Sequence, residues 1–401
     1  MSGPLDGVRV LDFTTMVAGP VATMMLADQG AEVIKIEPPR GDLMRHLSRR
    51  RNGMSAFFLC CNRNKRSLEV DLKTVEGLEI VKRLIPTAEV LVHNFRPGAA
   101  ERVGLGEDAV RAIRGDIVYV SISGFGESGP YAGQRAYDPV IQALSGLADV
   151  QRDQDTERPR MVRTIIADNT TALTAAQAIT AALFARERSG QGQHVRIAML
   201  DTMISYLWPD AMTSLTFVGD ETDPSEGELG PDLVFATQDR YLTAVALSDD
   251  EWAGMCLALN RQDLIDDPRF KSARVRSAHA VERREMVAAE LERWTAREIL
   301  QRLLHNDVPS APVLSRFDLL RDEQVRESHI LEEFQSETFG KVRMPRPAAR
   351  FDRTPAGIRT LAPLLGADNA AILRELGYTD DEVARLERSH SKVERKGSLF
   401  E

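Results

Sequence analysis

The stretch "VRVLDFTTMVAGPVATMMLADQGAEVIKIE", residues 8–37, decides the fold. Its first part, "VRVLDF" (8–13), is a short run of branched apolar residues and reads as a buried strand. "GPVATMMLADQG" (19–30) reads as a helix, with Pro20 near its start and Gly30 just past its end. "AEVIKIE" (31–37) is a second strand. Strand, helix and strand at this spacing imply parallel pairing, because the helix supplies the crossover that a parallel pair needs. The pattern continues. "TVEGLEIVKRLIPTA" (74–88) is an amphipathic helix, while "EVLVHNF" (89–95), "DIVYVSIS" (116–123) and "HVRIAMLD" (194–201) are strands; "LEVDL" (68–72) marks a further strand end. The expected architecture is an open, Rossmann-like parallel α/β sheet.

With 401 residues the chain has room for two domains. The acidic, turn-rich "GDETDPSEGELGPD" (219–232) reads as a loop or domain junction. Residues 1–220 are expected to form the first part of a large α/β domain, 221–329 a smaller α+β domain, and 330–401 a return to the large one. In the smaller domain "DLVFATQDRYLTAVAL" (232–247) reads as a strand pair, followed by helices over 249–260, 280–294 and from 296 into a Pro-rich turn. The segment 362–386 regains helical periodicity. A net charge of −9 argues against a nucleic-acid partner. Three cysteines fit a reducing compartment. The N-terminus lacks the basic start and apolar core of a signal peptide, and no run approaches ~18 apolar residues. The expectation is a cytoplasmic protein with no membrane partner.

Few catalytic motifs survive inspection. "GFGESG" (124–129) matches G-x-G-x-x-G, but "PYAGQRAYDP" follows it, so no helix opens there to receive a pyrophosphate. The seven histidines show no H-E-x-x-H and no zinc spacing, so no metal is expected. A G-x-S-x-G elbow is absent. The informative segment is "VRTIIADNTTALTAAQAI" (162–179), where an apolar approach delivers Asp168 to an alanine-rich helix. Asp168 reads either as a helix cap or as a nucleophile, since a helix amino end favours an ionised carboxylate and carboxylates form covalent intermediates. Arg40, Lys73, Arg102 and Arg135 fall beside predicted strand ends, where ligands of open sheets bind and where cations pair with phosphates. Each reads equally as solvated surface charge. Asp12 and Asp201, at strand ends, read as structural.

Taken together, these motifs resemble the class III coenzyme A transferase family, which includes formyl-CoA and carnitine-CoA transferases and the α-methylacyl-CoA racemases. The resemblance runs through "PLDGVRVLDFTTMVAGP", "GAEVIKIEPPRGD", "NRNKRSLEVDLK", "VLVHNFRPGAAERVGL", "SISGFGESGPYAGQRAYDPVIQALSG", "IADNTTALTAAQAITAALFARERSGQGQHVRIAML" and "APLLGADNAAILRELGY". It implies that coenzyme A or acyl-CoA is a substrate, that no cofactor is permanently bound, and that a free carboxylic acid is the acceptor. Asp168 matches the family's nucleophile, which forms an aspartyl anhydride and then an aspartyl-CoA thioester. Lys73, Asn94, Phe95, Arg102, Tyr137 and Met199 match positions lining the CoA site. Arg135 keeps a positive charge there, and Arg40 is an approximate match. Val17 stands where formyl-CoA transferase has a glutamine, and the glycine-rich lid of that enzyme has no counterpart in the acidic 220–232 segment. Both departures point away from formate. The family also implies an interlocked homodimer.

Two other readings stay open. A racemase or isomerase of 2-methylacyl-CoA takes its base from a histidine where this chain has Tyr137. A phenol titrates near about 10 and an imidazole near about 6.5, so the residue type favours the transferase branch. A non-catalytic acyl-CoA-binding homologue is the other.

Overall fold

The computed structural model describes residues 3–153, 156–221 and 232–393. Two compact units divide the chain, one built from residues up to Thr213 and from Ile330 onward, the other from Ser214–His329. Most of the acidic stretch 219–232 lies outside the described residues. Among the described residues no helix is long and apolar enough to cross a membrane.

The larger unit is built on six parallel strands: β1 (Arg9–Phe13), β2 (Glu32–Glu37), β3 (Lys65–Glu69), β4 (Val90–His93), β5 (Val118–Ser123) and β6 (His194–Ala198). Their order is β3-β2-β1-β4-β5-β6, that of a doubly wound dinucleotide-type sheet. Chain direction along the sheet reverses between β1 and β4, which opens a crevice beyond their carboxyl ends. Side chains alternate across the pleat. Leu11, Phe13, Ile34, Leu68, Leu91 and Tyr119 pack on one face with α2 (Val75–Leu84) and with the C-terminal helices Asn369–Glu375 and Asp380–Val393. Val10, Val33, Val90, Val92, Val118 and Val120 face the other way, against α1 (Ala18–Asp28) and α4 (Ile166–Ser189). Between these, α3 (Asp138–Leu144) precedes α4, and α5 (Met199–Ala211) follows β6. The alanines Ala172, Ala175, Ala176 and Ala182 let the α4 backbone lie close to α1 and the sheet. Gly190 ends α4 at φ 70°, a left-handed cap whose N–H donates to the Arg186 carbonyl at 2.7 Å.

Several boundaries differ from the sequence expectation for physical reasons. The strand expected over 194–201 stops at Ala198, because Met199 already begins α5. α2 ends at Leu84 and a 3₁₀ turn, Ile85–Thr87, follows, since Pro86 lacks the N–H needed to continue an α-helix. β3 begins at Lys65, ahead of the apolar "LEV", and its first residues are charged because one of them is buried in an ion pair. A hairpin of Leu331–Ser336 and Gly340–Pro345 lies in the C-terminal return.

The unit Ser214–His329 has its own core. Val234–Ala236, Tyr241–Ala244 and Ser310–Pro312 form an antiparallel sheet with Tyr241–Ala244 in the middle. Helices Asp249–Ala258, Ala280–Leu291 and Ala296–His305 pack Trp252, Leu291, Ile299 and Leu303 against Phe235 and Leu242. Reciprocal capping boxes, Ser248 with Glu251 and Thr295 with Glu298, start two of these helices.

Beneath α1 the sheet buries charge. Asp12 of β1 is fully buried and accepts from Thr14 N–H at 2.9 Å, Thr23 Oγ1 at 2.7 Å and Lys65 Nζ at 2.9 Å. Lys65 Nζ also donates to the Pro20 carbonyl and to Asn62 Oδ1, both at 2.8 Å. Lys35, beside Asp12 in β2, donates to the Thr14 carbonyl at 2.8 Å and to Asp42 Oδ2 at 3.1 Å. Burial alone raises the Asp12 carboxyl, but Lys65, Lys35 and the Thr14 hydroxyl overcome it and hold the group well below the usual carboxylate range. Removing one member leaves an uncompensated buried charge, so Asp12→Ala should destabilise the large unit by about 3–5 kcal/mol. Denaturant unfolding of the variant at neutral pH checks this. A loss under about 1 kcal/mol would show that the network tolerates a missing member.

Candidate active site

Asp168 occupies the first turn of α4, two residues after its first, Ile166. It does not cap the helix, which corrects one of its two sequence readings. The residue before the helix, Ile165, makes no side-chain cap bond. The capping carboxylate comes instead from Asp138, the first residue of α3. Its Oδ2 accepts from the Ala167 N–H at 2.7 Å and the Asp168 N–H at 3.1 Å, and its Oδ1 from Gln142 Nε2 at 2.6 Å. Gln142 Oε1 in turn accepts from the Val162 N–H at 2.9 Å, pinning the segment that leads into α4. With the amino end of α4 satisfied by a residue from another helix, the Asp168 side chain is free for other work. In the sequence, only the "YDPV" run ahead of a helix marks Asp138.

The Ala18 N–H, at the amino end of α1, favours the ionised form of the half-buried Asp168 carboxylate. Two helix amino ends therefore converge on one carboxylate. Burial, reinforced by the negative charge of Asp138, pushes the Asp168 carboxyl up to about 6, and the Ala18 N–H opposes that rise. Such a group is mostly ionised at pH 7, yet more basic than an ordinary carboxylate.

The loop that delivers Ala18 is held from three sides. Asn94, just past β4, spends its amide on Thr15, with Oδ1 accepting from the N–H at 2.9 Å and Nδ2 donating to the carbonyl at 2.8 Å. Met16 adopts a left-handed backbone, φ 70°, unfavourable for a side chain of this kind. Its N–H donates to both Asp42 oxygens, at 3.3 and 3.2 Å, and Asp42 is anchored by Lys35. Val17 is buried at the residue before α1.

The remaining candidates gather at the same end of the sheet. Arg40 is exposed in the loop after β2, and Lys73 is exposed between β3 and α2. Phe95, partly buried after β4, stacks on His93 with ring centroids 5.1 Å apart. Arg102 is exposed at the end of the short helix Ala99–Arg102. Arg135 and Tyr137 are exposed just before α3. Met199 is buried at the start of α5 and packs with Ala167, the neighbour of Asp168. All of them follow strand carboxyl ends or precede the helix whose Asp138 caps α4. The Gly124–Gly129 segment opens no helix, and Leu200 N–H donates to the Gly124 carbonyl at 3.0 Å.

Open sheets of this order take ligands in the crevice beyond their strand carboxyl ends, and Asp168 and these cations stand at that end of the sheet. Residues 5–369 match the model of CoA-transferase family III, and the chain belongs to that family. Among its relatives are the formyl-CoA:oxalate CoA-transferases of Escherichia coli O157:H7 (strain EC4115 / EHEC) and Shigella dysenteriae serotype 1 (strain Sd197). Each is 33% identical, over 98% of this chain and 100% of the relative. Among solved structures, a CAIB/BAIF family protein from Brucella suis aligns over 94% of this chain and 100% of its own, at a TM-score of 0.81 and 30% identity. Rv3272 from Mycobacterium tuberculosis aligns over 92% and 99%, at 0.82 and 31%.

The raised Asp168 carboxyl has a stability consequence. Its folded value lies above its unfolded value, so the ionised form costs stability at high pH and nothing below the unfolded value. The cost builds between about pH 4 and pH 6 and is constant above. Asp168→Asn, which keeps the shape, should therefore raise the melting temperature more at pH 8 than at pH 4. Paired thermal melts across this range would show the gap opening with a midpoint between those limits, and a pH-independent gap would contradict it.

Proposed function

We propose that the protein moves coenzyme A from an acyl-CoA donor to a free carboxylic acid with Asp168 as the nucleophile. The observation that carries this reading is the Asp168 carboxylate itself, relieved of capping by Asp138 and faced by the Ala18 N–H of α1. In the first step an Asp168 oxygen attacks the thioester carbonyl. The carbon–sulfur bond breaks, giving a mixed anhydride and CoA thiolate. The thiolate attacks the Asp168 carbonyl carbon, releases the donor acid and leaves an aspartyl-CoA thioester. The acceptor carboxylate attacks that thioester and expels the thiolate, which takes the acceptor's acyl carbon from the second anhydride and restores Asp168. Each bond broken is matched by one of similar energy, so no ATP is needed. Amide donors at the α1 amino end, Ala18 first among them, suit the oxyanions that form at each attack.

In this reading Arg40, Lys73, Arg102 and Arg135 pair with CoA phosphates, and Phe95, Tyr137 and Met199 line its path. Val17 puts an apolar, buried side chain at the residue before α1, where formyl-CoA transferase has a glutamine, which favours an acceptor other than formate or oxalate. Exposed Leu173 and Phe184 on α4, with Tyr206 and Trp208 on α5, favour a second copy of the chain as partner. Sedimentation equilibrium should then give twice the 44.5 kDa of one chain.

The direct test is mass spectrometry after incubation with mixed short acyl-CoAs and no acceptor. A CoA-sized adduct on the Asp168 peptide, released by hydroxylamine, is expected. Asp168→Ala should lose the adduct and at least about 10³-fold of CoA exchange. Because the nucleophile must be ionised, kcat/KM should rise with pH to a plateau, with its inflection near about 6. Uptake of solvent deuterium at the α-carbon without any acceptor acid would instead support a racemase.

A further inference from the structure

A second constellation lies on the other face of the sheet from α4. Ser121 of β5 has His93 of β4 and Arg196 of β6 as its register partners, so the three side chains leave one face side by side. His194, at the start of β6, places Nε2 2.8 Å from Ser121 Oγ and Nδ1 2.6 Å from Glu107 Oε2. A carboxylate only accepts, so Nδ1 carries the proton, and in the neutral ring Nε2 is left to accept from the serine hydroxyl. Glu107 is itself fixed by Arg111 Nε at 2.9 Å and by Arg196 Nη2 at 3.3 Å. His93, Glu107, Ser121, His194 and Arg196 line a cavity of about 540 Å³, within the range of small-molecule sites.

His93 points to a ligand independently. It is 6% exposed, and its Nδ1 accepts from the Phe95 N–H at 3.2 Å. Its Nε2–H therefore has no partner among the described residues while the ring lines the cavity. Burial and the neighbouring His194 push His93 down to about 4, so the ring is neutral at pH 7 and donates through Nε2.

We propose that Ser121, His194 and Glu107 form a second acyl-transfer centre that hydrolyses short carboxylic esters or thioesters, with His93 and Arg196 flanking the oxyanion. Nucleophile, base and orienting carboxylate are in hydrogen-bond reach, the arrangement that activates a serine. Ser121 Oγ gives its proton to His194 Nε2 and bonds to the acyl carbon. The leaving alcohol or thiol departs with that proton. Water then repeats the attack through His194, releasing the acid and restoring Ser121. Glu107 is a positioning residue, acting through His194. Apart from Phe95, which lines this cavity as well, the centre uses none of the residues assigned to CoA transfer, so Asp168 and Ser121 can fail separately.

The test is an alkyl fluorophosphonate followed by peptide mass spectrometry, with p-nitrophenyl acetate hydrolysis measured alongside. A single phosphonate on Ser121 is expected, absent in His194→Gln. Ser121→Ala should lose at least about 10²-fold of the hydrolysis while circular dichroism shows it folded. In folded Glu107→Gln the kcat for p-nitrophenyl acetate should fall with KM little changed; a purely structural role for Glu107 would leave kcat in place. No adduct on Ser121 under conditions that fully label a known serine esterase would overturn the proposal. Unchanged hydrolysis in folded Ser121→Ala would do the same. The wild-type labelling site settles the matter even if a variant fails to fold.

Discussion

The buried Asp12 carboxylate is the constraint on which the start of α1, and with it the surroundings of Asp168, depends. It lies beneath α1, where its partners Lys65, Thr14 and Thr23 come from β3, the β1–α1 loop and α1. Lys65 bonds on to the Pro20 carbonyl inside α1, and Lys35 ties the Thr14 carbonyl to Asp42, which holds Met16 left-handed. A purely apolar interface would hold α1 on the sheet and leave its start free to slide or fray. Directional bonds to Thr14, Met16 and Pro20 fix where α1 begins. The position of the Ala18 N–H, and so the environment of Asp168, follows from that.

The sheet was legible because its strands carry the ordinary signature of burial on both faces, short runs of Val, Ile and Leu separated by helices with clear ends. Families of motifs in the right order brought Asp168 forward. Other features escaped for one shared reason, that a tertiary partner overrides local pattern. β3 starts at a lysine, which reads as surface until Asp12 is found to receive it. Ser310–Pro312 reads as a turn, and becomes an edge strand only because Tyr241–Ala244 offers it a ladder. Asp138 looks like the first residue of its own helix, while its carboxylate serves another. Asn94 matches a CoA-lining position of the family, but its amide is taken up by Thr15, so whatever it contributes at the site begins with the shape of that loop.

Asp168 also shows how opposing influences set the proton affinity of a carboxylate. Partial burial and a neighbouring carboxylate make its ionised form costly, and one amide of a helix end offsets part of the cost. A solvated aspartate would be ionised more easily and would be a weaker base. A fully buried one without the amide would hold its proton. The geometry lies between these limits.

The cap that Asp138 supplies reaches α4 across about thirty residues of sequence. A carboxylate environment finished by so distant a group has no meaning as a linear epitope or a portable peptide. Grafting residues 162–190 into another scaffold would transplant an alanine-rich helix with an ordinary aspartate near its end. The smallest unit that carries this environment is three-dimensional: the start of α3, the start of α4 and the start of α1. Recombination between relatives would have to exchange all three together, and a crossover point placed between 138 and 167 would divide what the surroundings of Asp168 need kept whole.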